Sequence, residues 1–386
     1  MKIGILTPSI YMYQKRYSDR IFAIGELVRH LISGLLARGH QVTWLSAPEK
    51  TAAQLVAGDV HLLDNDLAIR TFQDITPEVK DKISLFGSKM YYEMDLLTRG
   101  YGQAKQEKFD LIHHFHSFGF LAHFFEELTA VPTLYTLHDP IPKPDMLEFW
   151  LFQRFPAHKF LSVSKSQQGS LAPHFFDYVY NGIDLSEFAF KPEIGHGFIA
   201  VGRMTAEKGF DTAIAAAKEV QVPLTIASWI NKNVENSDFY QTKIKPWVDG
   251  TTIKIDGLLQ ANDRVRLYQQ AQALLFPIAW EEPFGMVMIE SMACGTPVIA
   301  YNRGSVAEVV KDGITGFIID PDNESRPGKG NWIIKQPGIA GLVEAIKRIG
   351  EIDRANCRKH VEENFTIEKM VEGYERVYQR VINEKQ

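Results

Sequence analysis

Cysteine is scarce in this sequence of 386 residues: Cys294 and Cys357 are too few for a disulfide framework and lack metal-site spacing. No apolar run approaches the length of a membrane span, and no apolar leader precedes the first predicted strand, which starts at Ile3. A net charge of only −5 argues against nucleic acid, or a general anionic membrane surface, as a partner. We therefore expect a cytoplasmic protein without an integral membrane segment. Peripheral membrane contact and the oligomeric state stay open.

The bulk composition is that of a globular protein, with 45% apolar and 23% charged residues. The length predicts two domains. Short apolar runs alternate with segments of helical periodicity along the chain. This alternation predicts an α/β protein built on parallel sheets.

The stretch 276–300 is the most informative part of the sequence. An apolar run, 273–278, precedes a turn over 280–285, a helical pattern over 286–294 and a second apolar strand over 298–301. Such a βαβ unit places ligands beyond the C-terminal ends of its strands, where the helix N-terminus offers N–H groups. The turn is therefore a candidate binding site.

Two carboxylates belong to this unit, Glu282 in the turn and Glu290 in the helix. Either one alone is typical of an acid stabilised by a helix N-terminus. Together they match a sugar diol, because a carboxylate accepts hydrogen bonds from two hydroxyl groups. A glycosidase acid and nucleophile is a third interpretation. We reject it because both residues lie in one βαβ unit and a basic loop of phosphate-binding type occurs earlier in the chain.

That basic loop contains Gly202, Arg203, Lys208 and Gly209 and precedes a helix predicted over 210–218. An Arg fork and a Lys point charge suit an oxyanion such as a diphosphate. The alternative is a basic surface loop. The position in the first βα turn of the second predicted domain favours the diphosphate interpretation.

Two patterns suggest a metal site. His113, His114 and His116 lie at the end of a predicted strand, but no carboxylate or cysteine partner lies at a ligand spacing. Asp64 and Asp66 imitate an Asp-x-Asp metal motif, but turn-forming residues around them favour a solvated turn. The sequence therefore predicts no metal.

His138 follows a predicted strand, 131–137, and precedes a loop rich in proline. A single histidine is most often a structural contact. The C-terminal end of a parallel strand favours a functional role here.

The spacing Glu282-x7-Glu290, with Phe284 and Gly285 between and the segment 293–298 after, resembles the donor motif of retaining glycosyltransferases of family 4 (glycosyl transferases group 1). That family has the GT-B fold, in which two doubly wound, Rossmann-like parallel-sheet domains face each other across a cleft. The resemblance is strong from about residue 202 to residue 320.

The resemblance assigns the site residues. Donor and nucleotide binding is implied for Gly202, Arg203, Lys208, Glu282, Pro283, Phe284, Gly285, Met286, Val287 and Glu290. The implied catalytic residues are His138, Arg203, Lys208 and Glu282.

The implied reaction moves a hexose from a nucleotide diphosphate sugar to an acceptor hydroxyl, with retention and without a metal or other cofactor. UDP-glucose is the donor expected from family frequency, and the acceptor is a small molecule or a glycan. Alternatives are a GT-B epimerase or hydrolase of nucleotide sugars, and a non-catalytic protein that binds a nucleotide sugar or a glycan.

The implied domains are an acceptor-binding domain over 1–188, a donor-binding domain over 189–365 and a C-terminal helix over 366–386 that returns to the first domain. A turn-rich linker is predicted over 190–197. One departure concerns the loop before the first helix, where Phe22 and Ala23 stand near the position of the family's Gly-Gly pair.

Overall fold

The computed structural model describes residues 1–7, 23–45, 61–63, 85–107, 109–116, 121–257, 261–322 and 330–384. The chain forms two compact units. The first unit contains Met1–Tyr180 and Ile367–Gln386, and the second contains Asn181–Thr366. The segment 181–188 therefore belongs to the second unit.

The first unit is built on a parallel sheet of seven strands within the described residues, in the order β3-β2-β1-β4-β5-β6-β7. Its strands are β1 Lys2–Leu6, β2 Gln41–Leu45, β3 His61–Leu63, β4 Leu111–His116, β5 Thr133–Leu137, β6 Lys159–Ser162 and β7 Phe175–Tyr178. The helices of its N-terminal segment, up to Tyr180, are α1 Ala23–Ala37, α2 Leu85–Glu107, α3 Ala122–Glu126, α4 Leu147–Arg154 and α5 Lys165–Gln168. Strands such as β5 are buried along their whole length, as a parallel sheet covered on both faces requires.

The second unit is built on a parallel sheet of six strands within the described residues, in the order β10-β9-β8-β11-β12-β13. Its strands are β8 Phe198–Val201, β9 Leu224–Ala227, β10 Ile253–Asp256, β11 Ala273–Phe276, β12 Val298–Tyr301 and β13 Gly316–Ile319. Its helices are α6 Phe210–Val220, α7 Lys232–Glu235, α8 Ala261–Gln270, α9 Met286–Ala293, α10 Val306–Val309, α11 Gly338–Arg348 and α12 Arg354–Asn364. In this unit 3₁₀ turns cover Ala206–Lys208, Lys245–Trp247 and Ile349–Glu351, and a π turn covers Tyr240–Ile244; a further 3₁₀ turn, Gly169–His174, belongs to the first unit.

The strand order of this second sheet reverses between β8 and β11. In open α/β sheets a ligand crevice forms at such a reversal, because the two following loops diverge there. The loops after β8 and β11 are the ones that carry the predicted basic and acidic residues.

The last helix, α13 Ile367–Asn383, packs in the first unit against α1 and β4. One apolar face is buried, including Val371 and Tyr378. Gly34 of α1 makes this contact possible, because a Cβ there would lie 2.5 Å from Val371 Cγ2.

The two chain segments at the boundary of the second unit pair with each other. The Ile183 N–H donates to the carbonyl oxygen of Phe365 at 3.0 Å, and Ile183 forms a parallel bridge with Thr366.

Within the described residues, no helix has both the length and the apolar character that crossing a bilayer requires.

Candidate functional site

The loop after β8 lies directly against the loop after β11. Gly209 has a left-handed φ of +67°, and a Cβ at this position would lie 1.9 Å from the Pro277 carbonyl oxygen. Only glycine fits such a conformation with such a close approach. The Ala279 N–H also donates to the Glu207 carbonyl oxygen at 2.8 Å. These contacts bring the predicted basic and acidic segments together.

Lys208 and Glu282 form an ion pair between these two loops. Lys208 Nζ donates to Glu282 Oε2 at 2.9 Å, and both side chains are almost buried, at 12% and 11% exposure. Trp280 completes the group: its Nε1 donates to the same oxygen at 3.0 Å, and its ring centroid lies 4.4 Å from Lys208 Nζ. We call Lys208, Trp280 and Glu282 the site triplet. It fixes a cation, an anion and an aromatic ring at the C-terminal edge of the sheet.

The backbone of Glu282 is held from behind by the segment after β12. Gly304 has a φ of +55°, and a Cβ there would lie 2.2 Å from the Glu282 carbonyl oxygen. The Ser305 N–H donates to that same oxygen at 3.0 Å, and Ser305 Oγ donates to the Phe284 carbonyl oxygen at 2.8 Å. These contacts fix the backbone that carries the Glu282 carboxylate.

Gly285 turns the chain into α9 with a left-handed φ of +78°. α9 therefore begins where the loop after β11 ends, and its first N–H groups are those of Met286 and Val287. Phe284 is buried beside this turn, and its ring packs edge-on against Phe365 at a centroid distance of 5.9 Å.

Glu290 lies four residues into α9 and is buried. Tyr268 donates its hydroxyl to Glu290 Oε2 at 2.9 Å, and Arg264 Nη1 lies 3.4 Å from Oε1. Both partners come from α8. Burial, with the neighbouring Glu290 carboxylate, holds the pKa of the Tyr268 hydroxyl well above its usual range, so this hydroxyl remains a donor.

Arg203 differs from these residues because its side chain is 72% exposed. Its nearest acidic group is Glu207 Oε1, 3.9 Å from Nη2. The preceding Gly202 follows β8 and packs against the Lys208 side chain. The guanidinium group is thus available at the rim of the same loop.

His138 belongs to the first unit, directly after β5. Its half-buried ring stacks on Phe115 at 5.5 Å, and no hydrogen-bond partner of its Nε2 occurs among the described residues. Burial lowers the pKa of His138 to about 4, so the ring is neutral at physiological pH.

The neighbouring histidines have structural surroundings. His113 bonds to Tyr378 Oη at 2.6 Å and to Thr136 Oγ1 at 2.7 Å, and burial keeps its pKa well below the usual range. His114 is buried with its ring near Tyr135. The His116 side chain, Phe22 and the segment 64–66 lie outside the description, and so does the Ala23 side chain. Among the described side chains no group of three or more His, Cys, Asp or Glu could hold a metal ion.

The structure thus brings Lys208 and Glu282 into contact, with Arg203 and the start of α9 on the loops beside them. Glu290 lies further along α9, where it contacts two side chains of α8. Four residues of the site escaped the sequence analysis: Arg264, Tyr268, Trp280 and Gly304. Only Trp280, within the predicted turn, left a signal, because an aromatic residue in a ligand loop is a candidate contact.

Two family models match the chain. Residues 24–187 match the model described as Glycosyltransferase Family 4, and residues 187–337 match the one described as Glycosyl transferases group 1. The chain belongs to the group 1 glycosyltransferases. The predicted family is therefore confirmed, and the two models together cover most of both units.

Individual relatives are distant. The Bacillus subtilis (strain 168) protein YtcC is 28% identical over 54% of this chain and 55% of its own length. An alpha-maltose-1-phosphate synthase of Mycobacterium tuberculosis is 26% identical over 54% of this chain and 58% of its own length. The chain thus spans little more than half the length of these two relatives.

Among solved structures, HepE from Anabaena, crystallised in complex with UDP, matches with a TM-score of 0.68 at 16% identity. The match covers 98% of this chain and 100% of HepE. The GT-B fold predicted for this group 1 glycosyltransferase, with two α/β domains, is confirmed.

Proposed function

We propose that this glycosyltransferase moves a hexose, glucose in the first instance, from its UDP-sugar to an acceptor hydroxyl with retention of configuration. HepE, which shares the fold, has been crystallised with UDP and with UDP and glucose, and this supports the choice of donor. The observation that carries the proposal is the site triplet at the C-terminal edge of the second sheet. It combines groups suited to both halves of a nucleotide sugar.

The diphosphate is the leaving group, so negative charge grows on it as the glycosidic bond breaks. Arg203, Lys208 and the first N–H groups of α9 offer positive charge and donors at the loop ends. Such preorganised groups stabilise developing charge without a metal ion. We therefore propose a metal-independent transferase with no cofactor.

The two glutamates have separate roles in this proposal. Glu282 accepts from Lys208 and Trp280 through Oε2, and a carboxylate has about four acceptor sites, so it can also receive hexose hydroxyls. Glu290, held by Arg264 and Tyr268, receives the ribose hydroxyls. Pro283, Phe284, Gly285, Met286 and Val287 supply the backbone beside the hexose and phosphates. These contacts would position the transferring ring.

In this proposal the first unit binds the acceptor, and His138 has the catalytic role that the family resemblance implies for it. A neutral imidazole has one donor and one acceptor nitrogen, which suits a sugar hydroxyl. The acceptor is a small molecule or a glycan that offers the attacking hydroxyl.

Turnover assays separate transfer from its alternatives. UDP release from UDP-glucose that depends on an added acceptor supports transfer. UDP release without an acceptor would indicate a hydrolase, and a changed sugar without release would indicate an epimerase. Binding of UDP-glucose with no change in it would indicate a binding protein. Activity should persist in EDTA, and its complete loss, restored by Mg²⁺ or Mn²⁺, would contradict the metal-independent mechanism.

A further inference from the structure

Ser228 lies at the C-terminal edge of the second sheet, at a position that the proposed donor contacts leave unused. It directly follows Ala227, the last residue of β9. Its N–H donates to the Asp256 carbonyl oxygen at the end of β10 at 3.1 Å, and the Gly202 N–H donates to the Ala227 carbonyl oxygen at 3.2 Å. Ser228 is therefore fixed at the C-terminal ends of three neighbouring strands, where ligands bind in such sheets.

The Ser228 hydroxyl is buried and makes no hydrogen bond within the described part of the chain. The residue is 4% exposed. An unsatisfied buried polar group destabilises the folded state, whereas alanine at this position would carry no such cost. A native hydroxyl in this state calls for a partner outside the fold.

Other buried serines of the second unit show the contrast. Ser291 Oγ donates to the Thr296 carbonyl oxygen at 2.9 Å, and Ser305 Oγ donates to the Phe284 carbonyl oxygen at 2.8 Å. Their hydroxyls stabilise turns within the unit. Ser228 is held in place by its backbone, so its hydroxyl is left for another use.

We infer that the Ser228 hydroxyl is a donor-binding group that hydrogen-bonds the nucleoside diphosphate. The inference rests on the proposed function, because the phosphate-binding residues Arg203 and Lys208 lie on the loop that begins next to Ala227. The hydroxyl can donate to a phosphate or ribose oxygen, because its hydrogen rotates about the Cβ–Oγ bond to face the acceptor.

The test compares UDP binding by calorimetry and thermal unfolding for the parent protein, Ser228→Ala and Ser291→Ala. In Ser228→Ala, UDP affinity should fall at least about fivefold, as for one neutral hydrogen bond to ribose, and more than about tenfold for a bond to a charged phosphate oxygen, while the melting temperature stays equal or rises. In Ser291→Ala the melting temperature should fall and UDP affinity should stay unchanged.

The outcomes separate the two proposals. If the parent binds UDP and Ser228→Ala binds it equally well, the role of Ser228 is wrong and the proposed function stands. A parallel loss of affinity and melting temperature in Ser228→Ala would also overturn the role, because it indicates a structural hydroxyl. If the parent binds none of UDP, GDP and ADP, both proposals fall together.

Discussion

Lys208 Nζ and Glu282 Oε2 are 2.9 Å apart, so the proposed phosphate cation and the proposed hexose acceptor are hydrogen-bonded to each other. The pair joins the loop after β8 to the loop after β11. Its members are both almost buried, so neither can be removed without leaving the other charge poorly compensated.

A double-mutant cycle on this pair is the first prediction. Lys208→Met and Glu282→Gln should each lower the free energy of unfolding by about 3 kcal/mol, because each leaves one nearly buried charge without its partner. The double variant should lose less than the sum of both. Urea unfolding of the four proteins measures this, and strictly additive losses would show that the pair contributes no coupling.

Arg203 should behave in the opposite way. Because its side chain is 72% exposed, Arg203→Ala should change the free energy of unfolding by no more than about 0.5 kcal/mol. It should weaken UDP binding by about 1.5–3 kcal/mol, the value of a charge-assisted hydrogen bond. Arg266→Ala is the matched control, since Arg266 is 65% exposed and paired with Asp263 at 3.6 Å. Equal UDP affinity in both variants would remove Arg203 from the site.

The third prediction concerns the ribose. Glu290→Gln should weaken UDP and UDP-glucose alike, about tenfold or more, because a charged acceptor is lost. It should also lower the melting temperature, because Arg264 loses its carboxylate partner. Tyr268→Phe removes one hydrogen bond to Glu290, so it should lower stability by about 1 kcal/mol while UDP affinity changes little. A destabilised Glu290→Gln with parental UDP affinity would contradict the ribose role.

Glu282→Gln tests the hexose role with the same ligands. It should leave UDP affinity within about threefold of the parent, because UDP has no hexose. A change of this size is smaller than the roughly fivefold loss that removing one neutral hydrogen bond causes. It should lower turnover, because the transferring ring loses a positioning contact. Calorimetry with UDP and single-turnover rates with UDP-glucose decide this. UDP affinity lost to the same extent as in Glu290→Gln would contradict the division between the two glutamates.

His138 should make stability depend on pH. Its folded pKa of about 4 lies below the unfolded value of about 6.5, so the unfolded chain takes up a proton first as the pH falls. The neutral ring therefore contributes stability that is complete above pH 6.5 and is lost progressively down to pH 4, at most about 3 kcal/mol. The stability of His138→Gln should fall less than that of the parent over this interval. The pKa shifts of His158 and His360 do not involve His138 and cancel in the difference, whereas the pKa shift of His113 is caused in part by His138. NMR titration of the His138 ring is the direct measurement, and a midpoint near 6.5 would contradict the shift.

The fold was predictable because buried parallel strands are continuous apolar runs. β12 begins and ends where the sequence predicts, at 298 and 301. The apolar run predicted over 273–278 forms a shorter strand, since β11 ends at Phe276. Pro277 follows it, and proline lacks the N–H that continued strand pairing needs.

The contacts within the site were less accessible to sequence reasoning. Spacing indicated Lys208 and Glu282 separately, but their hydrogen bond spans 74 positions and depends on how Gly209 packs. The role of Gly304 behind Glu282 depends on a φ of +55° and a close approach, which a lone glycine in a sequence does not reveal. The assignments of individual site residues remain predictions for the experiments above.

Phe284 connects the ligand loop to the place where the chain enters and leaves the second unit. Its ring packs on Phe365, and the Phe365 carbonyl receives the Ile183 N–H. Hydrogen exchange at the Ile183 amide therefore reports on the loop. The rate of deuterium uptake at this amide depends on how firmly Phe365 is held, and the loop holds Phe365 in part. A nucleotide that orders the loop should slow exchange at Ile183 without touching it.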